Sequence, residues 1–331
     1  MSETSWLAPE PFEPVSPRQD PPRFSIVIAT YQAADTVARS VDSALAQTYP
    51  AHEVIVVDDG STDHPEETLL PYAGQIIVIR KENGGGASAL NAGAEAATGD
   101  FLAILDADDA YDPRRLEVLA DLACKRPDLD LITTDARFIV EDGVGGTFAT
   151  YTPFVTTGQR TAIFQSCFVG GWPAIRLSRL KEIGGFDEEL RTGYDWDCWA
   201  RLLLDGSQAG MAREPYYRYH LHAGSLTTSR ASSLWDRATL LEKALRNPTL
   251  RPDERPALEQ AIRMHRSRAA VAEAQDAIYG SASKMRLARL TFASRLQPRA
   301  RLAALLAAAA PPLARRLVRR DRPAEERVRA G

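Results

Sequence analysis

Between Phe24 and Thr133 the chain alternates short, continuous apolar runs with stretches whose apolar residues recur at helical spacing. The runs at Phe24–Ala29, Glu53–Val57, Gln75–Ile79, Phe101–Leu105 and Leu129–Thr133 have strand length and little polar alternation. That is the pattern of strands covered on both faces. Between them, Ala34, Val37, Val41, Ala44 and Leu45 fall on one face of a helix predicted over Ala33–Gln47. A short helix is expected from Pro65 to about Tyr72, and another opens after Asn83-Gly84-Gly85-Gly86 and runs through Ala97. Asp112 and Pro113 read as the cap and first turn of a helix reaching about Cys124. Repeated strand–helix alternation of this kind predicts an α/β domain with a parallel sheet, not a sandwich.

The pattern loosens on either side. Residues 1–22 contain six prolines and read as an irregular arm, so folded structure is expected from Arg23. Residues 135–170 are less regular, with a turn between strands at Gly143–Gly146 and then a mobile or acceptor-facing loop. Trp172–Ile175 reads as a strand, Leu177–Ile183 as a short helix closed by Gly184-Gly185, and Tyr194–Leu204 as an amphipathic helix with acidic residues at its start. Met211–Tyr219 is aromatic and extended. The domain is expected to span 23–230, and 231–331 to be a helical extension with segments at Leu234–Ala244, Glu254–Ile278, Lys284–Leu296 and 301–320.

Charge sharpens this division. The net charge of −4 conceals 13 Lys/Arg against 3 Asp/Glu in residues 281–331, a balance of +10, and 27 against 41, or −14, before them. A basic Leu/Ala/Arg tail on an acidic body is the composition of a helix that contacts an anionic membrane surface or packs as an ordinary appendage. No signal peptide is expected, and Leu302–Leu313 is shorter than the roughly 20 residues a membrane span needs. Three scattered cysteines, Cys124, Cys167 and Cys198, form no disulfide or metal pattern and suit a reducing compartment. Nothing in the basic tail has the aromatic–basic interleaving of a nucleic-acid binder.

The candidate chemistry begins where the run Phe101–Leu105 ends, at Asp106-Ala107-Asp108-Asp109. Ligands collect at the carboxyl ends of parallel strands, and crowded carboxylates there suit a divalent cation that in turn grips a diphosphate. On this reading Asp108 coordinates Mg²⁺ or Mn²⁺ and Asp106 holds ribose or sugar hydroxyls. Asp59, at the end of another strand, accepts from a base N–H, flanked by Thr30 and Tyr31. No GxGxxG or GxxxxGK[ST] loop is present, which argues against a dinucleotide oxidoreductase and a P-loop NTPase. An acceptor hydroxyl needs a separate base, for which Asp187, Glu188, Asp195 and Asp197 are candidates and Asp195 the preferred one. Trp172, Tyr194 and Trp196 are candidate sugar platforms. His220 and His222 share one side of an extended segment, so one of them completes the metal shell or meets the diphosphate. A nucleotidyltransferase and a sugar-binding module without catalysis stand as alternatives.

Five segments in order, 24–50, 53–63, 82–113, 184–203 and 217–227, resemble the family-2 glycosyltransferases. The resemblance implies an inverting enzyme with the GT-A fold, a Rossmann-like, mixed and mostly parallel sheet flanked by helices. It implies a nucleotide-sugar half over 23–110 and an acceptor half over 111–230. It also implies a UDP-, GDP- or dTDP-sugar donor and a glycan or lipid-linked acceptor in cell-envelope or surface-polysaccharide synthesis. By position, Thr30 and Asp59 match nucleoside contacts, Asp106 and Asp108 the DxD pair, Asp195 the general base and His222 the H-x-G-S spacing, with His220 offset by two. Tyr194 stands where the family usually has Glu, and Leu90 precedes Asn91 where many members have Arg. A cytoplasmic location, peripheral at the inner face of the membrane, and a homo-oligomer are further expectations.

Overall fold

The computed structural model describes residues 6–140, 143–221 and 230–279. Contacts divide the chain into two units, Met1–His222 and Ala223–Gly331. In chain order the first unit starts with β1 (Trp6–Leu7), β2 (Phe24–Thr30), α1 (Val37–Leu45), β3 (Glu53–Asp58), α2 (Pro65–Leu69), β4 (Ile77–Arg80) and α3 (Gly86–Ala96). It continues with β5 (Phe101–Asp106), β6 (Ala110–Tyr111), α4 (Arg115–Lys125), β7 (Leu131–Val140), β8 (Gly143–Thr147), α5 (Phe148–Tyr151) and α6 (Gln159–Ala162). It closes with β9 (Ala174–Arg176), α7 (Leu177–Glu182), α8 (Tyr194–Leu204) and β10 (Ala209–His220).

These strands form one mixed sheet in the order β1-β10-β7-β9-β5-β2-β3-β4, with β6 on β10 and β8 on β7. The pairs β2/β3, β2/β5, β3/β4 and β7/β10 are parallel. The likeness to a Rossmann-like GT-A sheet expected from the motifs is present in this order. Successive residues of β2 point to opposite faces, as pleating requires. Phe24, Ile26 and Ile28 pack with Val37 and Val41 of α1 and with Leu116 and Leu119 of α4. Val27, on the other face, meets α3, where Gly93 lets the helix approach so closely that a Cβ there would lie 2.4 Å from Val27 Cγ1. Both faces are covered, which is why these strands read as unbroken apolar runs.

Three features depart from the expectations. The N-terminal arm is not wholly irregular, because Trp6 and Leu7 pair antiparallel with Ala212 and Met211 at the sheet edge. The glycines at 143–146, expected as a turn, lie in β8, which pairs antiparallel with β7 as that strand extends to Val140. Helix α4 begins at Arg115, without a side-chain cap, and Asp112 Oδ1 accepts instead from the Arg114 N–H at 3.3 Å.

The second unit is described over α9 (Arg230–Ala244) and α10 (Arg255–Tyr279). Leu234, Ala269 and Ala272 form its apolar contact, joined by Trp235 Nε1 donating to Glu273 Oε2 at 3.2 Å and an ion pair of Arg266 with Glu242. The predicted segments at Lys284–Leu296 and 301–320 lie outside the described residues.

Candidate functional site

The chain runs from β2 outward to β3 and β4, then returns to β5 on the other side of β2. The point where strand order reverses is where open α/β sheets form a crevice. Register puts the ends of three strands side by side there: Thr30 opposite Asp58, and Ala29 opposite Asp106.

The turn after β5 is held from beneath. Ser40 Oγ of α1 lies 3.1 and 2.8 Å from the carbonyl oxygens of Asp106 and Asp109, and Arg39 donates to the Asp108 carbonyl. The acidic side chains then separate. Asp109 is buried, with Oδ2 accepting from Tyr217 O–H at 2.7 Å and Oδ1 from the His220 N–H at 2.7 Å. It serves the β5–β10 junction. Asp106 is half-buried, and its carboxyl is pushed well above the ordinary range by burial and then by Asp109, Asp108 and Asp195. Asp195, in the first turn of α8, therefore shares the field of the β5 aspartates although 89 residues separate it from Asp106 in sequence. Its carboxylate stands beside Gly171, where a Cβ would come within 3.3 Å of Oδ2.

On the other side of the crevice, Asp59 is buried and accepts from Lys81 Nζ at 2.8 Å, Gly84 N–H at 3.0 Å and Gly85 N–H at 2.7 Å. A carboxylate offers about four lone-pair sites, so one remains for a ligand N–H. Asp58 is turned to its own loop, accepting from Ser61 N–H at 2.9 Å. Thr30 is 1 % exposed and its hydroxyl has no partner, whereas Tyr31 is 54 % exposed. Next to them Gln32 holds a left-handed φ of 52° and braces Thr62, whose N–H it accepts at 2.8 Å.

Other expected site residues sit differently. Trp172 and Trp196 are 3 % and 4 % exposed, with their indole N–H groups on the carbonyls of Thr134 and Ile163. Burial leaves these rings no open face for a sugar. Asp197 is buried and paired with Arg201 at 2.7 Å, while Arg201 also grips the carbonyls of Ile183 and Gly185. Asn91 exchanges two hydrogen bonds with the Phe186 main chain and donates to Glu188, fixing the loop that leads into α8. His220 directs Nδ1 toward Asp109 Oδ1 at 3.8 Å. His222 lies outside the described residues. Cys198 is buried, which pushes its thiol up and away from nucleophilic use.

Sequence reasoning missed three contributors. Lys81, directly after β4, neutralises Asp59, and a basic residue at a strand end was its only signal. Tyr217 ties β10 to Asp109. Arg115 is fully buried, its guanidinium 4.6 and 5.2 Å from the ring centres of Tyr111 and Tyr217, donating to Thr134 and the Trp172 carbonyl. Nothing in the local sequence distinguishes it from a solvated arginine.

Among the described residues, no group of three His, Cys, Asp or Glu side chains converges as a metal cage. The donor chemistry nonetheless fits a hard divalent cation. Crowded carboxylates are relieved by one, and Mg²⁺-type ions are held through one or two carboxylates, with substrate phosphates and water completing the shell.

The model of the Glycosyl transferase family 2 matches residues 25–183. The chain is 30 % identical over 223 residues to an uncharacterized glycosyltransferase of Rickettsia prowazekii, covering 64 % of this chain and 68 % of that one. It is 31 % identical over 221 residues to the succinoglycan biosynthesis protein ExoO of Rhizobium meliloti, covering 62 % and 63 %. The chain spans less than two thirds of several of the curated relatives it matches, 59 % of one and 31 % of another. Its fold is similar to that of the mannosyltransferase PcManGT of Pyrobaculum calidifontis, solved with GDP-Man and Mn²⁺. The TM-score is 0.57 at 22 % identity, covering 91 % of each chain.

Proposed function

The chain belongs to glycosyl transferase family 2, and we propose that it moves one sugar from a nucleoside-diphosphate sugar to a hydroxyl of a glycan or lipid-linked acceptor, with inversion. The observation that carries this reading is the place of Asp195 in the first turn of α8, its carboxylate beside Gly171 and in the electrostatic field of Asp106. On this reading Asp195 is the proton acceptor and the β5 aspartates hold the donor's phosphates through a cation. Similarity to the succinoglycan biosynthesis protein ExoO supports an acceptor in polysaccharide synthesis.

In the proposed reaction Thr30 and Asp59 receive the nucleoside, Asp59 through its remaining lone pair. Asp106 holds ribose or sugar hydroxyls. Asp108 would hold Mg²⁺ or Mn²⁺ together with the diphosphate oxygens. When bound, the cation offsets the charge that develops on the departing diphosphate. Asp195 takes the proton from the acceptor hydroxyl, whose oxygen forms the new bond to the anomeric carbon as the bond to the diphosphate breaks on the opposite face. An α-linked donor thus yields a β-linked product. The balance of +10 in residues 281–331 supports peripheral contact with an anionic leaflet at the cytoplasmic face, and among the described residues no helix is long and apolar enough to cross a membrane.

The test is sugar transfer and nucleotide binding measured together for wild type, Asp195→Asn and Asp108→Asn, with and without Mn²⁺. Asp195→Asn should lose transfer by about a hundredfold or more, the scale of general-base catalysis, while retaining nucleotide affinity. Asp108→Asn should lose both the Mn²⁺ response and transfer. Transfer by Asp195→Asn close to the wild-type rate would reject the assignment.

A further inference from the structure

Tyr194 opens α8 immediately before Asp195. Its hydroxyl rests on the first residue of α3: a Cβ at Gly86 would lie 2.4 Å from Tyr194 Oη and 2.9 Å from Cζ. The ring stands edge-on to Phe186, with centres 6.3 Å apart and planes at 88°, and Phe186 is pinned through its main chain to Asn91. Tyr194 also interacts electrostatically with both Asp106 and Asp195. It therefore has a defined position between three elements: the start of α3, the end of β5 and the start of α8.

That position bears on the substrate. If Asp108 and the diphosphate lie at one end and Asp195 at the other, the anomeric carbon and its ring must occupy the space between them. Burial together with the carboxylates of Asp106 and Asp195 pushes Tyr194 up, so the group stays neutral and keeps its O–H as a donor. Such a hydroxyl both donates and accepts. A sugar hydroxyl has the same dual character.

We propose that Tyr194 is a specificity-determining residue of the donor site, its hydroxyl on Gly86 making a direct hydrogen bond to the transferred sugar and not to the nucleoside diphosphate. Gly86 is part of the same device, because any side chain there would drive the phenol out of place. The proposal rests on the glycosyltransferase reading above.

The test is calorimetric titration of the full chain, in MnCl₂, with UDP, GDP, UDP-glucose, UDP-N-acetylglucosamine and GDP-mannose. Wild type, Tyr194→Phe and Gly86→Ala are compared. Tyr194→Phe keeps the ring and its contact with Phe186. Gly86 does not have a positive φ, so alanine there acts only through space. Loss of one hydrogen bond should weaken the best-bound nucleotide sugar by roughly 3- to 10-fold, while the matching free diphosphate stays within about twofold. Gly86→Ala should shift the same ratio in the same direction, with both variants unfolding cooperatively near the wild-type temperature. Equal effects on sugar-bearing and sugar-free ligands, or no effect on either, would overturn the assignment of Tyr194 alone. A wild-type protein that binds none of the five would overturn the reading of a UDP- or GDP-sugar donor and this proposal with it.

Discussion

Tyr217→Phe removes one oxygen from the junction between β10 and the acidic turn. That oxygen donates to Asp109 Oδ2 at 2.7 Å and lies 3.4 Å from the Asp106 N–H. The ring is fully buried, stacked on Trp172 at 4.8 Å, and its shape is unchanged in phenylalanine, so no cavity term enters. What is lost is a hydrogen bond to a buried carboxyl, which burial itself pushes upward, leaving one of its oxygens unsatisfied. Leaving a buried polar group unsatisfied costs about 1–3 kcal/mol. For a unit of this size each kcal/mol corresponds to roughly 2–4 °C in melting temperature, giving a drop of about 2–12 °C. Urea denaturation followed by tryptophan fluorescence measures it directly. The cause is isolated by repeating the substitution in an Asp109→Asn background. There the carboxyl is replaced by an amide, and the cost of losing the hydroxyl should fall, because substitutions that remove one shared contact are not additive. A cost below about 0.5 kcal/mol, or the same cost in both backgrounds, would refute the claim that this contact anchors the turn.

Two further outcomes are expected. Gly93→Ala forces a Cβ to 2.4 Å from Val27 Cγ1, against a strand with no room to move, and should destabilise by about 1–3 kcal/mol; adding Val27→Ala should recover part of the loss, and additive costs in denaturation curves would exclude the clash as the cause. Glu53 Oε1 accepts from Ser25 Oγ at 2.6 Å and from Thr98 N–H at 2.7 Å. Burial pushes this carboxyl up, but those bonds outweigh it and hold it below its ordinary 4.5. Its stabilisation should therefore be complete above about pH 4.5 and disappear as pH falls below it. Glu53→Gln should flatten that part of the acid limb of stability against pH, and an unchanged limb would contradict the assignment.

The placement of the candidate acidic residues at the ends of elements was legible in the sequence. Asp106, Asp108 and Asp195 follow apolar or helical patterns that announce a strand end and a helix start. Roles that depend on direction were not legible. Asp108 and Asp109 are neighbours of the same type, yet Asp109 turns inward because Tyr217 and the His220 N–H await it more than 100 residues downstream. Trp172 and Trp196 looked as able to meet a sugar as to fill a core. Their partners, the carbonyls of Thr134 and Ile163, decided for the core.

Periodicity is a local property. The sequence alone therefore determined which runs are strands, which faces of α1 and α4 are apolar, and that acidic residues follow β5. Strand order and register arise from contacts between distant segments. Only the tertiary structure decided that β5 returns beside β2, that Thr30, Asp58 and Asp106 end on adjacent strands, and that Trp6–Leu7 closes a sheet edge. The physical reason is that an apolar run specifies burial but not its neighbour. A carboxylate acquires its task from the donors and charges that folding places around it.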